Sequence, residues 1–328
     1  MPAGPLTSVG IGDDAAVVTA PSGSVVAAVD LLIEGRHFRR DWSAAYDVGV
    51  KAAARSLADI AAMGAVNTAL LVALAAPGTL PARWAAGLAD GIAAEAARAG
   101  AGVVGGDTAR GDEVILSVTA LGDLAGRRPV LRSGARPGDL VAVAGPLGRS
   151  AAGLALLSAG LSARQLPPVL AALVAAHLRP APPYDAGPEA ALLGATAMID
   201  VSDGLLADLG HVAAASGVLV DVDSARLAVG GPLREAAASL AAADPAAPTE
   251  AGNPPPPVSP AAFPAGSPEA TALDWVLTGG EDHALVAAFP PGTALPARWQ
   301  VIGEARAGAG VTVDGLPHQG PAGWEHFR

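Results

Sequence analysis

Apolar runs of strand length alternate along the chain with longer segments in which apolar residues recur at helical spacing. The short runs predict buried strands over residues 25–30, 69–75, 140–144, 197–201 and 273–277. Helical spacing predicts helices over residues 43–64, 80–99, 149–160, 204–215 and 232–240. Two further strands, at 103–104 and 113–121, are predicted around a turn at 105–108. This alternation indicates an α/β or α+β fold.

Residues 132–139 interrupt the pattern with charged and turn-forming residues. We therefore expect two domains, an amino-terminal one over 1–135 with a mixed sheet and helices, and a carboxy-terminal α/β domain over 136–328. Residues 241–270 hold nine of the 29 prolines and lack a periodic apolar pattern. Such a segment buries too little surface to offset its ordering entropy, which predicts a disordered or extended insertion that catalysis does not need.

The amino-acid composition excludes several kinds of site and partner. The chain of 328 residues has no cysteine, which excludes disulfide frameworks, thiolate metal sites and a cysteine nucleophile. Its net charge of −11 argues against nucleic acid as a partner, because phosphate backbones need clustered positive charge. Glycine and proline interrupt the longest uncharged span, residues 60–82, so no membrane span is predicted. With no signal-peptide pattern at the amino terminus, we expect a cytoplasmic protein.

Aspartates recur where predicted strands end. Asp30 and Asp200 end apolar runs, Asp107 follows two glycines, and Asp59 lies in a predicted helix. Carboxylate oxygens suit Mg²⁺, which is held by a few carboxylates together with water and substrate phosphates.

Each aspartate also has a simpler interpretation. An aspartate beside glycine is often a turn residue, and Ser202 or Asp203 is suited to cap the following helix. Asp59 continues a four-residue ladder with Asp47, Lys51 and Arg55, and such ladders are usually solvated ion-pair ridges. The case for a metal site therefore depends on the whole set.

Two phosphate-binding fingerprints do not fit the sequence. Residues 10–15 match the spacing G-x-G-x-x-A, but no strand is predicted before them and a strand rather than a helix is expected after them. Lys51, the only lysine, does not lie in a Walker-type loop. The chemistry of a nucleotide site must therefore come from other residues.

Seven segments resemble, in order and spacing, the motifs of the thiamine-monophosphate kinase family. They are GIGDDAA at 10–16, EGRHF at 34–38, LADIAAMGA at 57–65, GGDT at 105–108, RSGARPGD at 132–139, IDVSDGL at 199–205 and TGGED at 278–282. The ending GWEHF at 323–327 is similar as well. The resemblance covers nearly the whole chain and implies the two-domain fold of aminoimidazole-ribonucleotide synthetase.

The resemblance implies that ATP phosphorylates thiamine monophosphate to thiamine diphosphate by in-line transfer, assisted by several Mg²⁺ ions. By matching positions, the implied magnesium ligands are Asp14, Asp30, Asp59, Asp107, Asp200 and Asp203. The implied ATP contacts are Gly106, Asp107, Arg132 and Ser202, and the implied thiamine-phosphate contacts are His37, Glu281 and Trp324. The simpler interpretations are a surface histidine for His37 and an apolar anchor for Trp324.

The family also implies a homodimer, built through the amino-terminal domain. The sequence departs from the family pattern at Ala28-Val29, where hydroxyl residues are usual before Asp30, at Arg36, and in a short segment before residue 10. These departures affect the expected number of metal ions. They keep open a nucleotide-binding regulatory protein that has lost turnover, and a synthetase of the aminoimidazole type is a further alternative.

Overall fold

The computed structural model describes residues 4–11, 15–242 and 267–324. The strands are β1 (Thr7–Val9), β2 (Val17–Val18), β3 (Val26–Ile33), β4 (Val66–Ala76), β5 (Gly102–Arg110), β6 (Ile115–Asp123), β7 (Leu140–Ala144), β8 (Ala197–Asp200), β9 (Leu219–Val222), β10 (Leu285–Phe289), β11 (Trp299–Arg306), β12 (Gly310–Val313) and β13 (Leu316–Pro317). The helices are α1 (Ala45–Ala62), α2 (Ala82–Arg98), α3 (Arg149–Ser158), α4 (Pro168–Leu178), α5 (Ala186–Leu192), α6 (Leu205–Ser216), α7 (Gly231–Ala242) and α8 (Pro268–Thr278).

The first half of the chain forms a four-stranded sheet in the order β3-β6-β4-β5. The β4–β5 pair is parallel and connected through α2, whereas β6 is antiparallel to both β3 and β4. α1 and α2 pack closely together. Glycine permits this approach, because a Cβ at Gly49 would lie 2.2 Å from the carbonyl oxygen of Leu88 and one at Gly91 would lie 2.1 Å from that of Tyr46.

The second half forms a seven-stranded sheet in the order β13-β12-β9-β11-β7-β10-β8. α3, α4, α6, α7 and α8 contribute to an apolar core with inward side chains of β7–β10. Residues of α1 and α5 share a second core with β7, β8 and β10. α1 therefore packs on both sheets, and its side chains meet the loops of the second half. The predicted boundary at residue 135 lies between the two sheets and remains a prediction.

The α/β character predicted from the sequence is confirmed, and most predicted helices and strands agree with the structure within a few residues. The predicted turn at 105–108 is wrong, because these residues continue β5. Gly106 serves close strand packing instead, since a Cβ there would lie 1.9 Å from the carbonyl oxygen of Val72. Asp30 is the fifth residue of the eight in β3 rather than its end.

Residues 273–277, predicted as a strand, belong to α8. The start signal was present: Ser267 Oγ accepts a hydrogen bond from the amide of Ala270, and Pro268 occupies the first turn. A short strand, β1, does precede residues 10–15, but β2 rather than a helix follows them, so the dinucleotide fingerprint still fails. Of the predicted insertion 241–270, residues 241–242 end α7 and 268–270 begin α8, while 243–266 lie outside the described residues.

Candidate active site

One face of α1 bears three charged side chains that face the second half of the chain. Lys51, Arg55 and Asp59 follow one another at four-residue spacing, which aligns them along the helix. Lys51 is only 2% exposed, and the side chain of Arg55 is 14% exposed. The prediction of a solvated ridge is therefore wrong for this row. Only Asp47, at the outer end, pairs with a half-exposed partner, Arg179, at 3.4 Å.

Glu281, in the loop between α8 and β10, lies opposite this row. Lys51 Nζ is 2.8 Å from its Oε2 and Arg55 Nη1 is 3.2 Å from its Oε1. His177 Nδ1, on α4, lies 3.6 Å from Oε2, and Ser150 Oγ lies 3.0 Å from the same nitrogen. Two cations of the first half thus hold both oxygens of a carboxylate of the second half. We call Lys51, Arg55 and Glu281 the cation-paired cluster.

The cation-paired cluster keeps Glu281 ionised. Burial alone would raise the pKa of its carboxyl group, but the charges of Lys51 and Arg55, and of His177 where it is protonated, hold that pKa well below the ordinary value. Burial lowers the pKa of Lys51, and the Glu281 charge opposes this effect. Burial and the nearby Lys51 charge lower the pKa of His177 to about 3. At neutral pH His177 is therefore neutral, and the two α1 cations provide the charge that Glu281 needs.

Asp30, Asp59 and Asp200 form a contrasting acidic cluster beside it. Burial raises the pKa of Asp59, and the charges of Asp200 and Asp30 raise it further, while Arg55 partly offsets them. Ser56 Oγ lies 3.0 Å from Asp30 Oδ2, and His283 Nδ1 lies 3.0 Å from Asp200 Oδ2. Burial and the two neighbouring carboxylates therefore favour the protonated form of Asp59.

Two loops hold the second-half part of this site together. The amides of Ser202, Asp203 and Gly204 donate to one oxygen of Asp208, at 3.0, 3.1 and 3.1 Å. Burial and the charge of Asp200 raise the pKa of Asp208 to about 7. The amide of Glu281 donates to the carbonyl oxygen of Ser202 at 2.8 Å. The loop bearing Ser202 and Asp203 is therefore fixed to the loop bearing Glu281.

Three further residues predicted for the site are Trp324, Arg132 and His37. The amide of Trp324 donates to the carbonyl oxygen of Asp203 at 3.0 Å, so Trp324 lies beside the 201–204 loop. Arg132 is exposed. It lies beside β8, since the carbonyl oxygen of the preceding residue, Leu131, accepts a hydrogen bond from the amide of Met198. His37 lies just after β3, where its Nδ1 accepts a hydrogen bond from the amide of Ile33 at 3.0 Å.

Gly106 and Asp107 lie on β5, the strand farthest from β3. Cross-strand pairing puts Gly106 in one row with Val72, Val118 and Asp30, and puts Asp107 in the next row with Ala73, Ser117 and Leu31. Since successive residues of a strand face opposite sides, Asp107 projects from the sheet face opposite to Asp30. The structure thus gathers Asp30, Asp59 and Asp200 but separates Asp107 from them, and Asp14 lies outside the described residues.

The sequence interpretation missed several residues that build the site. These are Lys51, Arg55, Ser150, His177, Asp208 and His283. The single lysine of an arginine-rich chain was one available signal, and an aspartate in the first turn of the helix after Asp203-Gly204 was another. His177 and Ser150 gave no such signal, because only the packing of α3 on α4 brings them together.

The acidic cluster suits a divalent cation chemically. Within residues 4–11, 15–242 and 267–324, no three His, Asp or Glu side chains converge on a single ion position. Mg²⁺ does not require such a cage, because it is usually bound by one or two carboxylates together with water and substrate phosphates. Burial raises the pKa of Asp59 most, and repulsion by Asp200 and Asp30 raises it further. A bound cation would relieve that repulsion.

Two family models cover most of the chain: AIR synthase related protein, N-terminal domain, over residues 12–124, and the corresponding C-terminal domain over residues 136–252. A thiamine-monophosphate kinase of Mycobacterium tuberculosis is 48% identical over 319 residues, covering 97% of this chain and 85% of the relative. One from Corynebacterium glutamicum is 38% identical over 96% of this chain and 88% of its own length.

The chain belongs to the thiamine-monophosphate kinase family. Solved structures agree: the thiamine-monophosphate kinase from Stenotrophomonas maltophilia K279a matches with a TM-score of 0.78 and 33% identity, over 95% of this chain and 92% of that one. A structure of AaThiL complexed with AMPPCP and TMP matches with a TM-score of 0.78 and 31% identity, over 97% and 92%. Hydrogenase maturation protein HypE, with a TM-score of 0.64 and 17% identity, shares the fold only. The predicted family and its aminoimidazole-synthetase-like fold are confirmed.

No helix within the described part of the chain is long and apolar enough to cross a membrane.

Proposed function

We propose that this protein transfers the γ-phosphoryl group of ATP to the phosphate of thiamine monophosphate, producing thiamine diphosphate. The observation that carries the proposal is the match over 97% of the chain to AaThiL complexed with AMPPCP and TMP, which we take as an ATP analogue and thiamine monophosphate. The named relatives, at 48% and 38% identity over nearly the whole chain, support the same activity.

The chemistry requires two polyanions to approach each other. The acceptor is already an anionic phosphate oxygen, so no strong general base is needed. In the proposed site Asp30, Asp59 and Asp200 would hold Mg²⁺, with Asp14 and Asp203 as further ligands. Asp107 projects from the opposite face of its sheet, so it is the proposed ligand of a separate Mg²⁺ ion. The bound ions supply charge neutralisation and alignment of the phosphates for direct in-line transfer.

The protein's remaining groups orient the two substrates. Gly106, Asp107, Arg132 and Ser202 are the proposed ATP contacts, and the guanidinium of Arg132 is suited to phosphate oxygens. His37, Glu281 and Trp324 are the proposed thiamine-phosphate contacts, with the indole available to stack on a cationic ring. Asp208 keeps the 201–204 loop in place through three amides, and the cation-paired cluster fixes the Glu281 carboxylate.

We also propose a homodimer formed through the open face of the four-stranded sheet. On that face Val29 is 62% exposed and Leu31 is 53% exposed, and a shallow depression lined by Asp107 and Ser117 lies on the same side. A second copy of the chain would bury this apolar surface. Light scattering should give twice the 31.9 kDa chain mass, and a mass near 32 kDa at micromolar concentration would contradict the dimer.

A matched pair of variants tests the dimer surface. Leu31→Arg should convert the dimer to a monomer, because it places a charge in the proposed apolar contact. Leu192→Arg changes a leucine on α5 that is even more exposed, at 74% against 53% for Leu31. It lies away from that face, so this variant should leave the mass unchanged. Equal masses for the two variants would exclude this face as the interface.

We place the enzyme in the cytoplasm and treat residues 241–270 as dispensable. Replacing them with a short Gly-Ser linker should leave the kinase rate within a few-fold, because extending a loop costs only about 0.6 kcal/mol per doubling of its length. A large rise in KM for thiamine monophosphate with an intact fold would instead show that the segment acts on the site.

The experiment for the main proposal is incubation of purified protein with ATP, Mg²⁺ and thiamine monophosphate, followed by chromatographic detection of thiamine diphosphate. Formation of that product supports the kinase. Nucleotide binding without product would favour the regulatory protein, for which Ala28 and Val29, without side-chain oxygens before Asp30, are the relevant observation. Turnover only with an aminoimidazole precursor would indicate the synthetase.

A further inference from the structure

Arg55 belongs to the cation-paired cluster and also contacts the acidic cluster. Its Nη1 lies 3.2 Å from Glu281 Oε1, and its Nη2 lies 3.7 Å from Asp30 Oδ1. Its charge also acts on Asp59, one helical turn further along α1. A single guanidinium therefore connects the carboxylate proposed to face the acceptor with the carboxylates proposed to hold Mg²⁺.

Asp30 has both oxygens engaged by neighbouring groups. Ser56 Oγ lies 3.0 Å from Oδ2, and Arg55 Nη2 faces Oδ1. The residues before it, Ala28 and Val29, provide no side-chain oxygen. A divalent ion approaching Asp30 Oδ1 would meet the positive charge of Arg55 within the distance at which charges interact strongly.

Arg55 is also held firmly in this position. It lies in the interior of the 18-residue α1, its side chain is 14% exposed, and the Glu281 carboxylate that it contacts is tied at its other oxygen by Lys51 at 2.8 Å. An arginine remains charged at all working pH values. It therefore contributes a permanent positive charge whether or not metal is bound.

We propose that Arg55 is a built-in cation of the reaction centre, which occupies part of the acidic cluster and so reduces the amount of divalent metal that the cluster binds. It acts as a positioning residue, through Asp30 and Glu281. The inference rests on the magnesium sites proposed above. Removing Arg55 should leave the acidic cluster more negative, and divalent ions should then bind more tightly or in greater number.

Binding of Mn²⁺ to the full-length protein, followed by electron paramagnetic resonance, measures this directly without turnover. Arg55→Met should bind Mn²⁺ about tenfold more tightly than the wild type, equivalent to about 1.4 kcal/mol, or bind one additional ion. Arg55→Lys keeps the charge and should behave like the wild type. Arg179→Met is the matched control, because it removes an arginine that pairs with Asp47 at the outer end of the same helix.

The results of this experiment separate a failure of the Arg55 proposal from a failure of the proposed magnesium sites. Unchanged or weaker Mn²⁺ binding by Arg55→Met, with binding by the wild type intact, overturns the role of Arg55 and leaves the kinase proposal standing. Absence of Mn²⁺ binding by the wild type would instead remove the magnesium sites on which both depend. Equal tightening by Arg179→Met would attribute the effect to net charge and would also overturn the inference.

Thermal melting provides a second measurement if Arg55→Met folds poorly. The variant should have a lower Tm than the wild type without metal and should recover most of that loss when Mg²⁺ is added. Arg55→Gln, which keeps hydrogen-bonding capacity without charge, should behave in the same way. A loss of Tm that Mg²⁺ does not reduce, or a variant that stays unfolded in Mg²⁺, would show that Arg55 is a structural residue only.

Discussion

The cation-paired cluster and the acidic cluster lie side by side along α1 but have opposite electrostatics. Glu281 has cations at both oxygens, and its pKa is lowered in spite of burial. Asp59 has carboxylates as neighbours, and its pKa is raised. The difference shows that the protein neutralises the carboxylate that connects its two halves and leaves only partly neutralised the carboxylates proposed to receive metal.

The same contrast occurs between two adjacent residues of one loop. Asp282 directly follows Glu281, but it receives an amide hydrogen bond from Ser150 at 2.9 Å rather than a salt bridge. Burial raises its pKa to about 7. Partner charge, rather than depth of burial alone, therefore decides the ionisation of the carboxylates in this part of the protein.

The largest effect is expected from Asp59→Asn, which removes one carboxylate of the acidic cluster. Turnover should fall about 1000-fold or more, equivalent to about 4 kcal/mol, because a proposed metal ligand is lost. The Tm without metal should stay the same or rise, since repulsion is relieved. Asp107→Asn should also abolish turnover with little change in Tm. Kinase assays and calorimetry measure both properties.

Asp90→Asn, on the exposed surface of α2, is the control for these two variants and should retain full activity. Full activity in both Asp59→Asn and Asp107→Asn would show that the metal assignment is wrong. A large loss of Tm in Asp59→Asn would show that this carboxylate stabilises the fold, which would contradict the proposed repulsion within the acidic cluster.

The next effect concerns the cation-paired cluster. Lys51→Met should lower the free energy of unfolding by about 3 kcal/mol, because removing one partner of a buried ion pair leaves the other charge uncompensated. Chemical denaturation measures this loss. In the double variant with Glu281→Gln the two losses should be clearly less than additive, whereas strict additivity would mean that the pair does not act as a unit.

Asp282→Asn should change the pH dependence of stability. Because the folded pKa of Asp282 is raised to about 7, its protonated form stabilises the folded state at low pH, and this contribution is lost as the pH rises through 7. Asp282→Asn has no carboxyl group to ionise, so its stability should not fall in this way. Its free energy of unfolding should exceed that of the wild type by about 1–2 kcal/mol at pH 8, and this difference should shrink toward pH 5.

Asp185→Asn is the control for that pH series. The hydrogen bond from Arg298 lowers the pKa of Asp185, so the stabilising contribution of this carboxylate is lost only when the pH falls well below 5. Between pH 5 and 8 this variant should parallel the wild type. A wild-type curve that does not fall relative to Asp282→Asn between pH 5 and 8 would contradict the assignment.

The smallest effect is expected at the outer end of α1. Arg179→Met breaks the pair with Asp47 at 3.4 Å, in which the arginine side chain is 49% exposed. Such exposed pairs contribute little to stability. The free energy of unfolding should therefore change by less than about 1 kcal/mol, and the kinase activity should not change. A loss as large as that of Lys51→Met would remove the distinction between the buried and exposed parts of the ladder.

The sequence allowed the family, the fold class and most of the local elements to be predicted, because motif order and hydrophobic periodicity are local properties. Asp59 and Asp200 could be selected in the same way. The partnership of Lys51 with Glu281 could not, since the two residues are 230 positions apart and meet only through the packing of α1 on the second sheet. Local rules also misread the glycines before Asp107, which permit close strand pairing rather than a turn.

The proposed enzyme moves one phosphoryl group directly between two bound phosphates with the help of divalent ions. The most direct measurement supplies ATP labelled at its γ-phosphorus together with thiamine monophosphate, with and without Mg²⁺. We expect the label to appear in the terminal phosphate of thiamine diphosphate only when Mg²⁺ is present, and we expect Asp59→Asn to give almost no labelled product. Label released mainly as inorganic phosphate, or equal transfer in the presence of a metal chelator, would contradict it.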